Sequence, residues 1–183
     1  MFSIGVDLGR RQDPSTIAVA ERKDAEPGLI VVRFLERVQL RTPYSAVARR
    51  VAAVARHPAM AGSHRKLVVD ATGVGDAVLE MLREARPGCE IRPVVITGGG
   101  AAKQHGNWES VPRVDLLARV QAGLECGWLR IARVMPERER LIKEMTQLGS
   151  GEHDDLVIAV ALAVWGAKRE TQYGERNVRL PVY

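Results

Sequence analysis

The strongest constraint on the fold is a change of pattern partway along the chain. Three short apolar segments come first, over residues 2–7, 16–21 and 29–36, and turn residues separate them. Connections this short join neighbouring antiparallel strands. After about residue 42, apolar residues at helical spacing alternate with short apolar runs, which is typical of crossovers between parallel strands. The chain therefore predicts a three-stranded antiparallel meander followed by strand–helix alternation.

The remaining expected elements are strands over 66–70, 91–96 and 128–131, and helices over 43–56, 74–83, 111–125, 136–148 and from 153 or 154 to 168. Right-handed crossovers place the fourth strand parallel to the first and beside it. The expected class is α/β, a mixed sheet of about five strands flanked by helices. Pro93 predicts that its strand is an edge or has an irregular ladder. We expect one domain over residues 1–168 and an irregular tail over 169–183.

Composition narrows the class of protein. The chain has 183 residues, of which 46% are apolar and 27% charged, and this balance suits a single packed domain. The longest apolar run, residues 156–167, is shorter than the roughly 20 residues that span a bilayer. No secretory signal is visible, and two cysteines, Cys89 and Cys126, make neither a disulfide framework nor an all-cysteine zinc site. We expect a cytoplasmic protein (host cytoplasm if viral) with no membrane partner.

The charge is basic and carried mainly by arginine. Lys and Arg number 27 against 22 acidic residues, and 22 of the 27 are Arg. The planar guanidinium suits phosphate, which favours a nucleic-acid partner. A GC-rich genome would raise the Arg content equally well. Charge alone leaves both explanations open.

Four aspartates occupy distinctive places. Asp7 ends the first strand, Asp70 ends the fourth, and Asp154 and Asp155 begin the most apolar helix. Neighbouring strands would bring Asp7 and Asp70 to one rim, roughly 5 Å apart. Two charges 4 Å apart repel by about 4 kcal/mol at an effective dielectric near 20. Divalent Mg²⁺ or Mn²⁺ relieves such repulsion, and a pair of these ions suits phosphoryl transfer.

Each of these residues also fits a structural role. Asp7 and Asp70 could accept backbone amides in the turns that follow them, and one of Asp154 and Asp155 could cap the helix. Two accessory candidates, Asp13 in a turn and His153 at the helix start, fit structural roles as well. The joint placement at two strand ends and a helix start favours the metal site.

The glycine-rich loop over residues 98–109 contains three residues suited to DNA: Lys103, His105 and Trp108. We expect a β-hairpin or flap beside a DNA channel, with a plain flexible connection as the alternative. Further candidate phosphate contacts are Arg10, Arg11 and Arg113.

Three segments in order, GVDLGRRQDPSTIAVAE, LVVDATGVGDAVLEML and GEHDDLVIAVALAVW, resemble the nuclease domain of bacteriophage large terminase subunits. Those domains belong to the ribonuclease H-like superfamily, near the Holliday-junction resolvases. The resemblance runs from about residue 3 to 167. Each motif alone is weak, and the ordered trio carries the resemblance.

The resemblance implies a ribonuclease H-like fold and a two-metal endonuclease that uses two Mg²⁺ or Mn²⁺ ions. Asp7 and Asp70 match metal ligands of the family. The Asp154–Asp155 pair matches the third ligand position, with Asp155 favoured. The implied substrate is double-stranded DNA, cut from viral concatemers during genome packaging. The implied partners are a packaging ATPase domain, a portal protein and a small terminase subunit.

Other functions stay open from the sequence. The phosphate-loop pattern G-x-x-x-x-G-K-[ST] of a packaging ATPase is not present, so an ATPase domain could be fused, separate or absent. A structure-specific Holliday-junction resolvase would use the same scaffold. A non-catalytic DNA-binding or assembly module needs no metal at all. The opening GVDLG also suggests an actin-like ATPase, but such proteins enclose nucleotide between two lobes and this chain supplies one.

Overall fold

The structure is a computed structural model that describes residues 1–9, 13–26, 28–73, 75–106, 108–148 and 154–168. Several expectations lie outside the described residues, namely those for Arg10, Arg11, His153 and the tail over 169–183.

Eight strands form one sheet: β1 (Phe2–Asp7), β2 (Thr16–Arg22), β3 (Ile30–Arg37), β4 (Arg65–Asp70), β5 (Glu90–Thr97), β6 (Lys103–His105), β7 (Trp108–Pro112) and β8 (Leu129–Ile131). The α-helices are α1 (Tyr44–Ala55), α2 (Asp76–Glu84), α3 (Arg113–Glu125), α4 (Arg138–Thr146) and α5 (Asp155–Lys168). A 3₁₀ turn, Pro58–Met60, leads into β4.

The sheet is mixed, with the order β6-β7-β5-β4-β1-β2-β3-β8. The antiparallel meander β1–β2–β3 and the parallel pairing of β4 with β1 are confirmed. The α/β class is confirmed, but the sheet has eight strands where we expected about five. The difference lies at the two edges: β6 and β7 form the expected hairpin at one edge, and β8 occupies the expected strand over 128–131 at the other.

Of the two alternatives expected for Pro93, an edge strand or an irregular ladder, the edge strand is wrong. Strand β5 lies inside the sheet, where Pro93 pairs with Val69 of β4. The carbonyl of the next residue, Val94, accepts from the Ala71 N–H on the β4 side, so the backbone of Pro93 faces the other neighbour, β7. Pairing with β7 begins only at Val94, so no ladder bond requires the N–H group that proline lacks.

Helices cover both faces of the sheet. On one face of the sheet, α1 and α2 pack against side chains of β1 and β4, for example Ile4 and Leu67, and form one hydrophobic core. On the other face, α5 and α3 enclose the second core, and α5 is buried from Leu156 to Trp165. A helix that is apolar on all sides belongs in the interior of a fold. No helix in the described ranges is long and apolar enough to cross a membrane.

Helix α5 lies directly on β1 because glycine removes the side chain at the contact. A Cβ atom on Gly5 would lie 2.1 Å from the carbonyl oxygen of Ala159 and 2.4 Å from the nitrogen of Ala163. One on Gly166 would lie 2.2 Å from the Ser3 hydroxyl oxygen. Backbone atoms cannot move aside for the contact at Gly5, so this glycine determines how closely α5 packs on β1, while Gly166 leaves room for the Ser3 side chain.

Part of the arginine excess stabilises the fold itself. Arg56 donates to the carbonyl oxygens of Ala85 and Arg86 at the end of α2, and Arg65 donates to Ala55 at the end of α1. Cations are favourable at helix C-termini, where carbonyl groups have no helical partner. The count of arginines therefore overstates the cations available to bind nucleic acid.

Candidate active site

The register of the two central parallel strands brings Asp7 and Asp70 together. Val6 of β1 pairs with Val69 of β4, so the two aspartates follow at the next position of each strand. The spacing of adjacent strands places their Cα atoms roughly 5 Å apart. The observed pairing of β1 with β4 therefore gives the same Asp7–Asp70 separation that we expected from the sequence.

The packing of α5 on β1 brings Asp155 to the same place. Helix α5 contacts β1 at two levels. Gly166 lies against Ser3, and one level further along β1, Ala159 and Ala163 lie against Gly5. Two residues along a strand advance about 6.6 Å and one helical turn about 5.4 Å, so the first turn of α5 reaches the level of Asp7. The Thr16 hydroxyl, which belongs to the residue paired with Asp7, donates to the Asp155 carbonyl oxygen at 2.8 Å.

Asp7 lies at the centre of this negative region. Its pKa is raised from 3.8 to about 8, above all because burial disfavours the charged carboxylate. Four nearby carboxylates raise it further, in decreasing order of effect: Asp70, Asp155, Asp13 and Glu144. The site therefore concentrates negative charge that nearby cations do not fully balance.

The two neighbouring aspartates of α5 have different partners. Asp154 forms an ion pair with Arg113, the first residue of α3, and both side chains are partly exposed. Asp155 is 15% exposed and bonds through Oδ2 to the Arg37 guanidinium at 2.9 Å. Asp155, unlike Asp154, is among the charges that raise the pKa of Asp7.

Two polar residues of this region, Arg37 and Glu144, were not expected from the sequence. Glu144 of α4 is 8% exposed, and its Oε2 atom accepts the Leu156 N–H at 3.0 Å. Burial raises the pKa of Glu144, while the charge of Arg37 opposes this effect. The available signal was helical spacing, since Glu144 comes three residues after the fully buried Leu141 and so lies on the inner side of α4.

The structural roles considered for the aspartates are filled in part by other residues. The Gly9 N–H, in the turn after Asp7, donates to the Ser15 hydroxyl at 3.2 Å. The Leu156 N–H at the start of α5 donates to Glu144. Asp70 does support its own turn, because its Oδ1 atom accepts the Thr72 N–H at 2.8 Å.

The donor set suits a hard divalent cation, although the side chains do not form a finished cage. Asp7, Asp70 and Asp155 supply only oxygen atoms, the ligands that Mg²⁺ and Mn²⁺ prefer. The negative charges of Asp70, Asp155, Asp13 and Glu144, which help to raise the pKa of Asp7, would attract a cation. Within the described ranges, no three His, Cys, Asp or Glu side chains are grouped closely enough to hold a metal ion.

The expected hairpin is present beside these carboxylates. Strands β6 and β7 pair antiparallel around Gly106. Asp70 pairs with Val94, which pairs with Glu109, so β7 lies level with Asp70 and roughly 10 Å away across two strand spacings.

The hairpin presents the residues expected to contact DNA. The rings of His105 and Trp108 stack, with centroids 4.4 Å apart. Lys103 and His105 are exposed and Trp108 is 41% exposed. Arg113 follows β7, and its ion pair with Asp154 places it at the border of the carboxylate site.

Comparison with known proteins places this architecture in the ribonuclease H-like class. The chain belongs to the family described as the terminase RNaseH-like domain, whose model matches residues 4–165. The resemblance to terminases inferred from the sequence is thereby confirmed. No protein with curated information matches the chain in sequence.

Solved structures agree with this assignment at the level of the fold. The human cytomegalovirus terminase nuclease domain, in a manganese-soaked and inhibitor-bound form, matches with a TM-score of 0.60 and 14% identity, over 89% of this chain and 81% of that one. The nuclease domain of the large terminase g2p from bacteriophage SPP1, with bound manganese, matches with a TM-score of 0.53 and 12% identity, over 90% and 85%.

Proposed function

We propose that this chain is a divalent-metal-dependent endodeoxyribonuclease of the terminase type, which hydrolyses phosphodiester bonds in double-stranded DNA. The observation that carries the proposal is that Asp70 and Asp155, from two other elements, add negative charge at the buried Asp7, whose pKa is raised to about 8. Membership of the terminase family and the likeness to nuclease domains that contain manganese support it.

In this proposal Asp7, Asp70 and Asp155 hold two Mg²⁺ or Mn²⁺ ions. Such a pair activates water and stabilises the charge that develops on the phosphodiester. Asp7, at the centre of the cluster, contributes most of the negative charge that the ions require. Asp154 stays paired with Arg113 at the border of the site and orients that cation toward the DNA.

The stacked hairpin residues contact the DNA on one side of the site. Lys103 and Arg113 bind backbone phosphates, and Trp108 supports the duplex or a locally unpaired base by stacking. Asp13 and His153 remain accessory candidates, and Arg10 and Arg11 remain candidate phosphate contacts. In a complete packaging motor the partners would be a packaging ATPase domain, a portal protein and a small terminase subunit.

Plasmid cutting during a titration with Mg²⁺ and Mn²⁺ tests the proposal. Asp70→Asn should abolish cutting while DNA binding and folding stay nearly unchanged, because the asparagine keeps the side-chain shape and the Thr72 contact but loses the charge. Asp76→Asn, on the exposed start of α2, is the matched control and should cut normally. Cutting by Asp70→Asn at the wild-type rate would show that the assignment is wrong.

A second pair of variants separates the two aspartates of α5. Asp155→Asn should lose activity and calorimetric binding of Mn²⁺. Asp154→Asn should keep the metal and lose only DNA affinity, through Arg113. The reverse result would exchange their roles.

A further inference from the structure

Helix α5 carries Asp155, and its first turn is held by contacts from three other elements. The Thr16 hydroxyl of β2 bonds the Asp155 carbonyl oxygen, and Arg37 of β3 bonds its carboxylate. Glu144 of α4 accepts the Leu156 N–H, the next donor along the helix. The first turn of α5 is therefore held by residues of three other elements.

Glu144 and Arg37 also interact with each other. The Arg37 Nη2 atom lies 2.9 Å from Asp155 Oδ2 and 3.8 Å from Glu144 Oε1, and Arg37 is only 20% exposed. A carboxylate at a helix N-terminus is favoured by the exposed N–H groups there. Glu144 thus joins the start of α5 to the guanidinium that holds Asp155.

The arrangement leaves one oxygen of Asp155 available. Oδ2 is used by Arg37, while Oδ1 makes no hydrogen bond within the described part of the chain. A ligating carboxylate is commonly oriented in this way, with one oxygen bonded to a neighbouring donor and the other directed to the metal. An Asp155 side chain that is free to rotate would spend part of its time away from Asp7.

We infer that Glu144 and Arg37 are a positioning pair, which fixes the first turn of α5 and orients Asp155 so that its second oxygen binds metal beside Asp7. This inference rests on the proposed function. In this inference neither residue is a metal ligand, and both position Asp155. Loss of such outer contacts typically weakens metal binding by about 10–100-fold.

Calorimetric titration with Mn²⁺ tests the pair. Glu144→Ala should weaken Mn²⁺ binding by about 10-fold or more. Glu144→Gln should have an intermediate effect, because its amide oxygen still accepts the Leu156 N–H but no longer attracts Arg37. Arg37→Met should weaken Mn²⁺ binding as Glu144→Ala does, and Arg37→Lys should recover part of it by restoring the charge. Glu139→Gln, at an exposed position of the same helix, is the control and should bind as the wild type does.

Amide hydrogen exchange in metal-free protein provides a readout independent of metal and activity. Glu144→Ala should exchange faster at Leu156 while the middle of α5 keeps its protection. Unchanged exchange at Leu156 overturns the inference, as does wild-type Mn²⁺ affinity in both Glu144→Ala and Arg37→Met. A wild-type protein that binds no Mn²⁺ overturns the proposed function, and exchange at Leu156 then still decides whether Glu144 holds the helix. If Glu144→Ala does not fold, Glu144→Gln and Arg37→Lys carry the comparison.

Discussion

Replacing Asp7 by Asn should stabilise the metal-free protein, and the gain should grow with pH. The pKa of Asp7 is about 8 in the folded chain, against 3.8 for an unperturbed aspartate. Below about pH 4 the Asp7 carboxyl is protonated in both the folded and the unfolded chain, so it does not change the free energy of unfolding. Between pH 4 and pH 8 the unfolded chain releases the proton while the folded chain keeps it, so the folded state loses stability as pH rises.

The magnitude follows from the two pKa values. The cost to the folded state grows by about 4 kcal/mol between pH 5 and pH 9, as an order of magnitude. Asp7→Asn removes this cost because the amide does not ionise. Urea unfolding at a series of pH values measures the gain directly, and Asp115→Asn, at an exposed position of α3, is the control that should show no such trend.

Magnesium should cancel the effect in the wild type alone. A divalent ion binds the ionised carboxylate, so saturating MgCl₂ should restore wild-type stability at pH 8–9. Asp7→Asn should gain much less from the ion. Equal gains for Asp7→Asn at pH 5 and pH 9, in the absence of metal, would refute the reasoning about burial and charge at this site.

Variants at Gly5, Trp108 and Lys103, two of them with a matched control, test packing and DNA contact. Gly5→Ala should destabilise the protein by roughly 3 kcal/mol or prevent folding, because the new Cβ would overlap the backbone of α5, whereas Gly98→Ala, in open space, should be tolerated; urea unfolding checks both. Trp108→Ala should weaken DNA binding in fluorescence anisotropy by roughly 1–3 kcal/mol, with Trp108→Phe close to the wild type. Lys103→Ala should weaken DNA binding at low salt and flatten its salt dependence by about one phosphate contact, and unchanged affinity would argue against a DNA-binding hairpin.

Because the chain belongs to the terminase family, all of these variants bear on the nuclease function proposed for it. In the proposed nuclease, the affinity of the carboxylate site for metal affects its activity. The contacts of Asp155 with Arg37 and of Leu156 with Glu144 link that affinity to β3 and α4. Changes in either element should therefore alter metal binding without changing a ligand.

The sequence alone predicts the meander and the strand–helix alternation that follows it. It also predicts that Asp7, Asp70 and Asp155 lie at the ends of elements. Apolar periodicity and turn residues are local signals, and strand ends follow directly from them. The parallel pairing of β1 with β4 was also expected, because crossover handedness leaves few alternatives. The fold class and the candidate ligands therefore needed only local pattern and a topological rule.

Only the tertiary structure decided which neighbours each carboxylate has. Glu144 and Arg37 are 107 residues apart in the chain, and no sequence motif distinguishes them from other charged residues. The packing of α4 and β3 brings them together at the start of α5. The same packing separates Asp154, which pairs with Arg113, from Asp155, which bonds Arg37 and helps to raise the pKa of Asp7. Burial and long-range charge depend on surroundings that no short stretch of sequence contains, and this is why the pKa of Asp7 and the support of Asp155 became visible only in the folded chain.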